Sequence, residues 1–237
     1  IKKGIILAGG LGQRMSPITK AVNKQLLPLY DKPLIFYPLS ILMLANIKNL
    51  LIIVNKGQLN IFRRILPEKN NLGIKIQYAE QKKPRGLPDA FIIGKKFIDK
   101  DNVALVLGDN FFYGQSLTKN LRKNLIFSKG ARIFLHPVKN PQRYGVAYLD
   151  KNKKIIKLLE KPNRTKSNLA VTGLYFFDNK VVEFSKKLKT SKRGELEIID
   201  LLNIYRKKNN LKAEFIGRGG AWLDTGSIDD FYKTSAF

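Results

Sequence analysis

The 237-residue sequence contains no cysteine. This absence excludes disulfides, thiolate-held zinc, iron–sulfur clusters and a cysteine nucleophile, and it fits a reducing compartment. Histidine is nearly absent too. The one copy, His136, lies in the apolar run Arg132-Ile-Phe-Leu-His-Pro-Val138 and reads as a structural residue. A histidine-rich metal site is therefore excluded, and a Ser-His-Asp triad would depend on that single side chain. No stretch approaches the roughly 20 apolar residues that cross a bilayer. The brief apolar segment at the N-terminus runs into glycines rather than a signal-peptide cleavage site. A soluble, cytoplasmic protein with no membrane partner is expected. Any catalysis must run on carboxylates, lysines, arginines, backbone amides and a hard metal ion.

Acidic residues are also scarce: 18 Asp and Glu stand against 44 Lys and Arg, a formal charge of +26. Such an excess attracts polyanions at low salt. The lysines are scattered in short groups, such as Lys82-Lys83, Lys95-Lys96 and Lys207-Lys208. They read as a solvated surface, and specific nucleic-acid binding, for which a basic footprint is only the first sign, is not expected. Hydrophobic residues make up 44% and charged residues 26%, a globular composition.

Short Ile/Val/Leu runs predict buried strands at 4–8, 50–54, 74–79 and 103–107, with helices at 35–45, 58–66 and 87–97 between them. The second half predicts strands at 131–137, 146–149, 155–160 and 170–177, helices at 180–188 and 195–207, then a strand at 212–216. Alternation of this kind implies one continuous α/β domain, its mostly parallel sheet covered on both faces.

Three segments carry the chemistry. The first strand runs into Leu7-Ala-Gly-Gly-Leu-Gly-Gln-Arg-Met-Ser-Pro17. Glycines after a buried strand let amides approach a phosphate. The dinucleotide fingerprint is excluded because Met15 replaces its third glycine, and no Walker lysine follows. Arg14 in the loop and Lys24 beyond it supply the two cations that a triphosphate with a departing pyrophosphate needs. The second segment is Leu105-Val-Leu-Gly-Asp-Asn110, where Asp109 follows a buried strand at the sheet edge that binds ligands in open α/β folds and can hold Mg²⁺. The third, Trp222-Leu-Asp-Thr-Gly226, offers Asp224 as a second carboxylate for the same metal.

In this order, and together with Lys24-Gln-Leu-Leu-Pro28, Tyr37-Pro-Leu-Ser40, Arg143-Tyr-Gly-Val146, Glu160-Lys-Pro162, Val171-Thr-Gly-Leu-Tyr175 and Arg193-Gly-Glu-Leu-Glu197, these segments resemble the sugar nucleotidyltransferase family over essentially the whole chain. The resemblance implies a three-layer, Rossmann-like nucleotide-diphospho-sugar-transferase fold with a mixed, mostly parallel sheet. It implies Mg²⁺-dependent attack of glucose-1-phosphate on the α-phosphorus of dTTP, with uridylyl transfer or another sugar phosphate as the neighbouring alternative. Gly9, Gly10 and Gly12 would cradle the phosphates, with Leu7, Gln13 and Gln25 beside them, and Arg14 and Lys24 would neutralise the charge. Gln81 and Gly86 would meet the base. Lys161 would align the sugar phosphate. Asn110, Tyr144, Gly145, Glu160, Val171, Tyr175 and Trp222 would line the sugar pocket, and Asp109 and Asp224 would hold the metal.

Some positions depart from the family pattern. Gln13 replaces a threonine, Ile199 another, and Gly220 an aromatic residue; Ser227 replaces a third threonine. Pro88-Asp89 replaces Ala-Gln and is expected to alter the base or ribose pocket. Residues 1–237 are expected to form a single nucleotidyltransferase domain ending in a helix from near Asp229, without the C-terminal helical extension of longer members. Homo-oligomeric assembly stays open at this stage.

Overall fold

The computed structural model describes residues 1–217 and 219–237. Its strands in chain order are β1 (Lys3–Ala8), β2 (Pro28–Leu29), β3 (Lys32–Pro33), β4 (Asn49–Asn55), β5 (Lys75–Gln81), β6 (Val103–Leu107), β7 (Asn110–Tyr113), β8 (Ala131–Pro137), β9 (Gly145–Leu149), β10 (Ile155–Glu160), β11 (Leu169–Phe177), β12 (Leu211–Phe215) and β13 (Ala221–Asp224). The helices are α1 (Ile18–Ala21), α2 (Phe36–Leu44), α3 (Leu59–Ile65), α4 (Asp89–Ile93), α5 (Lys95–Ile98), α6 (Leu117–Asn124), α7 (Val181–Lys187), α8 (Ile198–Lys207) and α9 (Ile228–Ala236).

Nine strands form one sheet, in the order β10-β9-β11-β6-β1-β4-β5, with β8 and then β12 joined along β11. β5, β4, β1 and β6 are parallel neighbours. β11 runs against β6, β8 and β9; β10 runs against β9; and β12 follows β8. Seven strands thus point one way and only β10 and β11 the other, which is the mixed, mostly parallel sheet expected.

Period-two alternation divides the buried residues between the two faces. Ile6, Ala8, Leu50, Ile52, Val54, Ala104 and Val106 form one core with α2, α3 and α6. Ile5, Leu51, Ile53, Val103, Leu105, Ile133 and Phe177 form the other with α4, α5, α7 and α8. Each fully buried aliphatic side chain contributes about 1.5–3 kcal/mol, so strands apolar on both faces commit to the middle layer.

The predicted helix at 87–97 is instead broken at Gly94 into α4 and α5. A Cβ at residue 94 would lie 3.0 Å from the Ala90 carbonyl oxygen, 3.1 Å from Ile5 Cδ1 and 3.2 Å from Leu51 Cδ2, so the helical segment crosses the sheet here at close range. The helix predicted from residue 195 begins at Ile198, because Leu196 donates its N–H to the Arg85 carbonyl at 2.7 Å and stays outside the helix. Four short strands, β2, β3, β7 and β13, were not predicted. β7 and β13 pair with each other, Asp224 opposite Asn110, across the carboxyl edge of the main sheet.

Candidate active site

The carboxyl ends of β1, β4, β5 and β6 lie along one edge, and the bent β11 carries its residues 171–173 past the end of β6 to the same place. A cavity of about 330 Å³ opens there, continuous with a groove of about 600 Å³ over the glycine loop through Gly9, Gly10, Arg14 and Asp109.

The loop after β1 turns through positive φ at Gly10 (116°) and Gly12 (62°), conformations that only glycine adopts without strain. Asn55, at the end of β4, clamps it. Its Nδ2 donates to the Gly10 carbonyl at 2.8 Å, and its Oδ1 accepts from the Gly10 N–H at 3.1 Å. The same Oδ1 accepts from Gln81 Nε2 at 2.9 Å. Gln81 lies across Gly9 so closely that a Cβ there would sit 1.7 Å from its Nε2. A side chain at residue 9 would therefore displace the Gln81 amide.

Lys24 is held in a single 3-10 turn capped by Asn23, whose side chain accepts from the Gln25 N–H at 2.8 Å. Its Nζ reaches Asp109 Oδ2 at 2.7 Å, and Asp109 Oδ1 accepts from Asn110 Nδ2 at 3.0 Å. These groups hold the Asp109 carboxyl below the usual range in spite of burial. Asp224 is brought beside it by the β7–β13 pairing and by Thr225, whose N–H and hydroxyl both donate to the Asp109 carbonyl (3.2 and 2.8 Å). Burial first, and then the Asp109 charge, push the Asp224 carboxyl up to about 6. Among the described residues it has no hydrogen-bond or ion-pair partner.

Among the described residues no cluster of three or more His, Cys, Asp or Glu forms a protein-only metal cage. Asp109 and the Asp224 carboxyl, which burial and the Asp109 charge raise, are hard oxygen donors that could hold a divalent cation whose remaining ligands come from water and phosphate.

The far wall is built from β9, β10 and β11. Lys161 follows β10 at φ 39°, a strained setting for a side chain, with its N–H bonded to the Tyr144 carbonyl at 3.1 Å. Glu160 and Glu197 share Arg193, whose Nη2 lies 3.0 Å from Glu160 and 2.8 Å from Glu197. Burial and the Glu197 charge raise the Glu160 carboxyl. Tyr144 packs edge-on against Trp222 with ring centroids 5.0 Å apart. The side-chain oxygen Oδ1 of Asn110 accepts from the Trp222 indole (2.6 Å) and the Gly173 N–H (3.1 Å), tying β7, β13 and β11 together.

Leu7, Gly9, Gly10, Arg14, Gln81, Gly86, Asp109, Asn110, Tyr144, Gly145, Glu160, Lys161, Val171, Tyr175, Trp222 and Asp224 all line the cavity, and Gly12, Gln13, Lys24 and Gln25 line the groove. Arg143, Arg193, Glu195 and Glu197 line the cavity as well, in motifs whose resemblance gave these four no role. Asn55 carried no signal beyond its place at a strand end. One expectation fails: neither Pro88 nor Asp89 lines the cavity, because the buried Asp89 carboxylate turns to Arg85 at 2.6 Å. His136 packs 6.5 Å from the Trp222 ring and does not line the cavity, as a structural residue would.

A glycine loop and paired carboxylates at the carboxyl edge of this sheet define a nucleotidyl-transfer site in class. The nucleotidyl transferase family model matches residues 3–237, and the chain belongs to that family. Within it, the chain is 52% identical over 235 residues to glucose-1-phosphate thymidylyltransferase of Neisseria meningitidis, covering 99% of this chain and 82% of that one. It is 48% identical to the enzyme of the same name from Mycolicibacterium smegmatis, covering 99% and 81%. Among solved structures, a UDP-glucose pyrophosphorylase in complex with UDP-glucose superposes with a TM-score of 0.86 at 26% identity, covering 100% of this chain and 97% of that one. A Bacillus anthracis protein assigned as a glucose-1-phosphate thymidylyltransferase, solved with sucrose, superposes with a TM-score of 0.89 at 37% identity, covering 99% and 94%.

Proposed function

We propose that this chain transfers a thymidylyl group from dTTP to glucose-1-phosphate, releasing pyrophosphate. The observation that carries the reading is the order of groups along one continuous cavity. Gln81 and Gly86 stand at one end, the glycine loop with Arg14 and Lys24 beside them, the Asp109–Asp224 pair in the middle, and Lys161, Glu160 and Tyr144 at the other end. Base, triphosphate and sugar phosphate find partners in that sequence.

A phosphate oxygen of the sugar phosphate forms the new bond to the α-phosphorus as the α–β anhydride bond breaks, and the electron pair leaves with pyrophosphate. That oxygen is already ionised, so no general base is required, in keeping with a site that no histidine lines. Lys161 holds the nucleophile against the α-phosphorus, and Arg14, Lys24 and the loop amides stabilise charge on the leaving group. Catalysis of this kind is positioning and electrostatics. Asp109 and Asp224 would hold Mg²⁺, which when bound neutralises phosphate charge. Lys24, paired to Asp109, keeps that carboxylate ionised for the metal.

The test is pyrophosphate release with Mg²⁺ and glucose-1-phosphate across dTTP, UTP, CTP, GTP and ATP. Greatest kcat/KM with dTTP supports the reading. Greatest kcat/KM with UTP moves the donor towards that of the UDP-glucose pyrophosphorylase with which the fold superposes, and the two bases differ by one methyl group, worth only about 1–3 kcal/mol of discrimination.

A further inference from the structure

A glutamine amide is ambiguous in recognition, because turning it over exchanges donor and acceptor at almost no torsional cost. Thymine and uracil present a carbonyl acceptor beside an N3–H donor. Cytosine presents the reverse, an amino donor beside an N3 acceptor. A freely turning Gln81 would serve either base, so discrimination needs something that fixes which end of the amide faces the cavity.

The contacts around Asn55 supply that constraint by elimination. The Gly10 peptide N–H can only donate and its carbonyl can only accept, so their two bonds to Asn55 (3.1 and 2.8 Å) permit one orientation of the Asn55 amide. Its Oδ1 must then be the atom that meets Gln81, directly opposite in the sheet register. An oxygen acceptor requires a donor, and only Nε2 of Gln81 can answer it, at 2.9 Å. Gln81 is 5% exposed, so its amide is confined between Asn55 and the cavity that it lines. Gly9 lacks the Cβ that would push the amide aside. Oε1 and the second Nε2 hydrogen remain for a ligand, and Oε1 has no partner among the described residues.

We infer that Asn55 is a positioning residue for base selection: it transmits the fixed polarity of the Gly10 peptide to the Gln81 amide, so that the cavity presents one order of acceptor and donor and selects imide-bearing pyrimidines over cytosine. The inference rests on the nucleotidyl-transfer reading for its ligand. It deepens that reading by separating the choice among pyrimidines from the chemistry of transfer.

The experiment measures the ratio of kcat/KM for dTTP to that for dCTP, at saturating glucose-1-phosphate, in the wild type, Asn55→Ala, Asn55→Asp, Gln81→Ala and the Asn55→Ala/Gln81→Ala double variant. Asn55→Ala is expected to lower the ratio about tenfold, in the range typical of a lost polar discrimination, with KM for glucose-1-phosphate unchanged. Asn55→Asp retains the acceptor that orders Gln81, so it keeps the ratio within about twofold even where KM for dTTP rises from the lost bond to the Gly10 carbonyl. In the double variant the ratio equals that of Gln81→Ala, because Asn55 acts only through Gln81. An unchanged ratio in Asn55→Ala, or effects of the two substitutions that multiply, overturns the inference. If the wild type turns over neither nucleotide, the transfer reading fails by itself. The same ratio is then read as equilibrium binding of dTMP against dCMP by calorimetry, and a wild type that binds both equally overturns the inference independently.

Discussion

The paired carboxylates make a stability prediction that runs opposite to most single substitutions, which destabilise. Asp224 sits beside Asp109 with its carboxyl raised from the ordinary 3.8 to about 6. A raised folded-state pKa means that the folded chain binds a proton more readily than the unfolded chain between those values. The contribution to stability is therefore complete below about pH 4 and is lost as pH rises through 6. The shift of roughly two units, at about 1.36 kcal/mol each, sets a ceiling near 3 kcal/mol. The opposing cations Lys24, Arg14 and Arg143 are already contained in that shift, and screening by water in the open cavity reduces it to about 1–2 kcal/mol. Asp224→Asn keeps the shape and removes the charge. In EDTA at pH 8 it is expected to melt about 2–8 °C above the wild type, given about 2–4 °C per kcal/mol for a chain of this size. The gap should close towards pH 4, where the wild-type carboxyl is protonated. Mg²⁺ should raise the melting temperature of the wild type but not of the variant, and pyrophosphate release should fall at least about 100-fold. Differential scanning calorimetry at pH 4.5 and pH 8, with EDTA or Mg²⁺, separates these terms. A variant that melts no higher than the wild type at pH 8, or that gains equally at both pH values, refutes the account of two carboxylates held in mutual repulsion for a cation.

Other perturbations test the remaining walls of the cavity. Lys161→Ala should reduce kcat/KM roughly 100-fold and raise KM for glucose-1-phosphate; a loss confined to KM for dTTP would place this lysine at the wrong end. Gly9→Ala should displace the Gln81 amide, whose Nε2 occupies the space of the new methyl group. The expected result is a KM for dTTP raised at least about tenfold with the melting temperature nearly unchanged, since the flexible end of Gln81 can yield; an unchanged KM would show that Gln81 does not contact the base. Raising NaCl from 25 to 200 mM should lower kcat/KM for dTTP several-fold and leave kcat alone, because a net charge of +26 accelerates the encounter with an anion rather than its reaction. A fall in kcat of the same size would place the sensitivity in the site.

Strands were legible where the fold needs them apolar on both faces. Val103–Leu107 falls at its predicted limits, because this interior strand of a covered sheet has no alternating polar residue to blur its ends. β7 and β13 escaped because four residues with one exposed aromatic, Tyr113, carry no periodicity, yet their pairing is what carries Asp224 to Asp109. α6 escaped for a related reason: only Leu117 and Leu121, one helical turn apart, reach the core among its otherwise polar surface. The side chains that touch ligands in the proposed reaction were readable as motifs, since glycine loops and strand-end carboxylates keep their chemistry in one dimension. Asn55 and Arg193 were not, because their roles exist only between segments. Asn55 joins β4 to the first loop, and Arg193 joins Glu160 to Glu197. The Pro88-Asp89 departure misled in the opposite sense, since the buried Asp89 carboxylate pairs with the exposed Arg85 and turns away from the cavity that its neighbours Gly86 and Leu87 line.

The charge of the whole chain and the charge of its site obey different requirements. Among the described residues, the cavity and groove carry the cations Arg14, Lys24, Arg143, Lys161 and Arg193 and the acids Asp109, Glu160, Glu195, Glu197 and Asp224, five of each. The surplus of +26 therefore lies outside the site, where it draws anions inward over distances set by salt. Inside, a merely positive cavity would hold the triphosphate and its pyrophosphate product alike. Acids set among the cations are ionised or protonated according to their neighbours, and in the proposed reaction they would tie the strongest anion affinity to an arrangement that includes a divalent cation. Discrimination then rests on placement: Lys24 fixed by Asp109, Arg193 by two glutamates, Gln81 by Asn55. A single histidine is no handicap to such a site, because the reaction asks for ordered charge and fixed amides rather than for a proton to be moved.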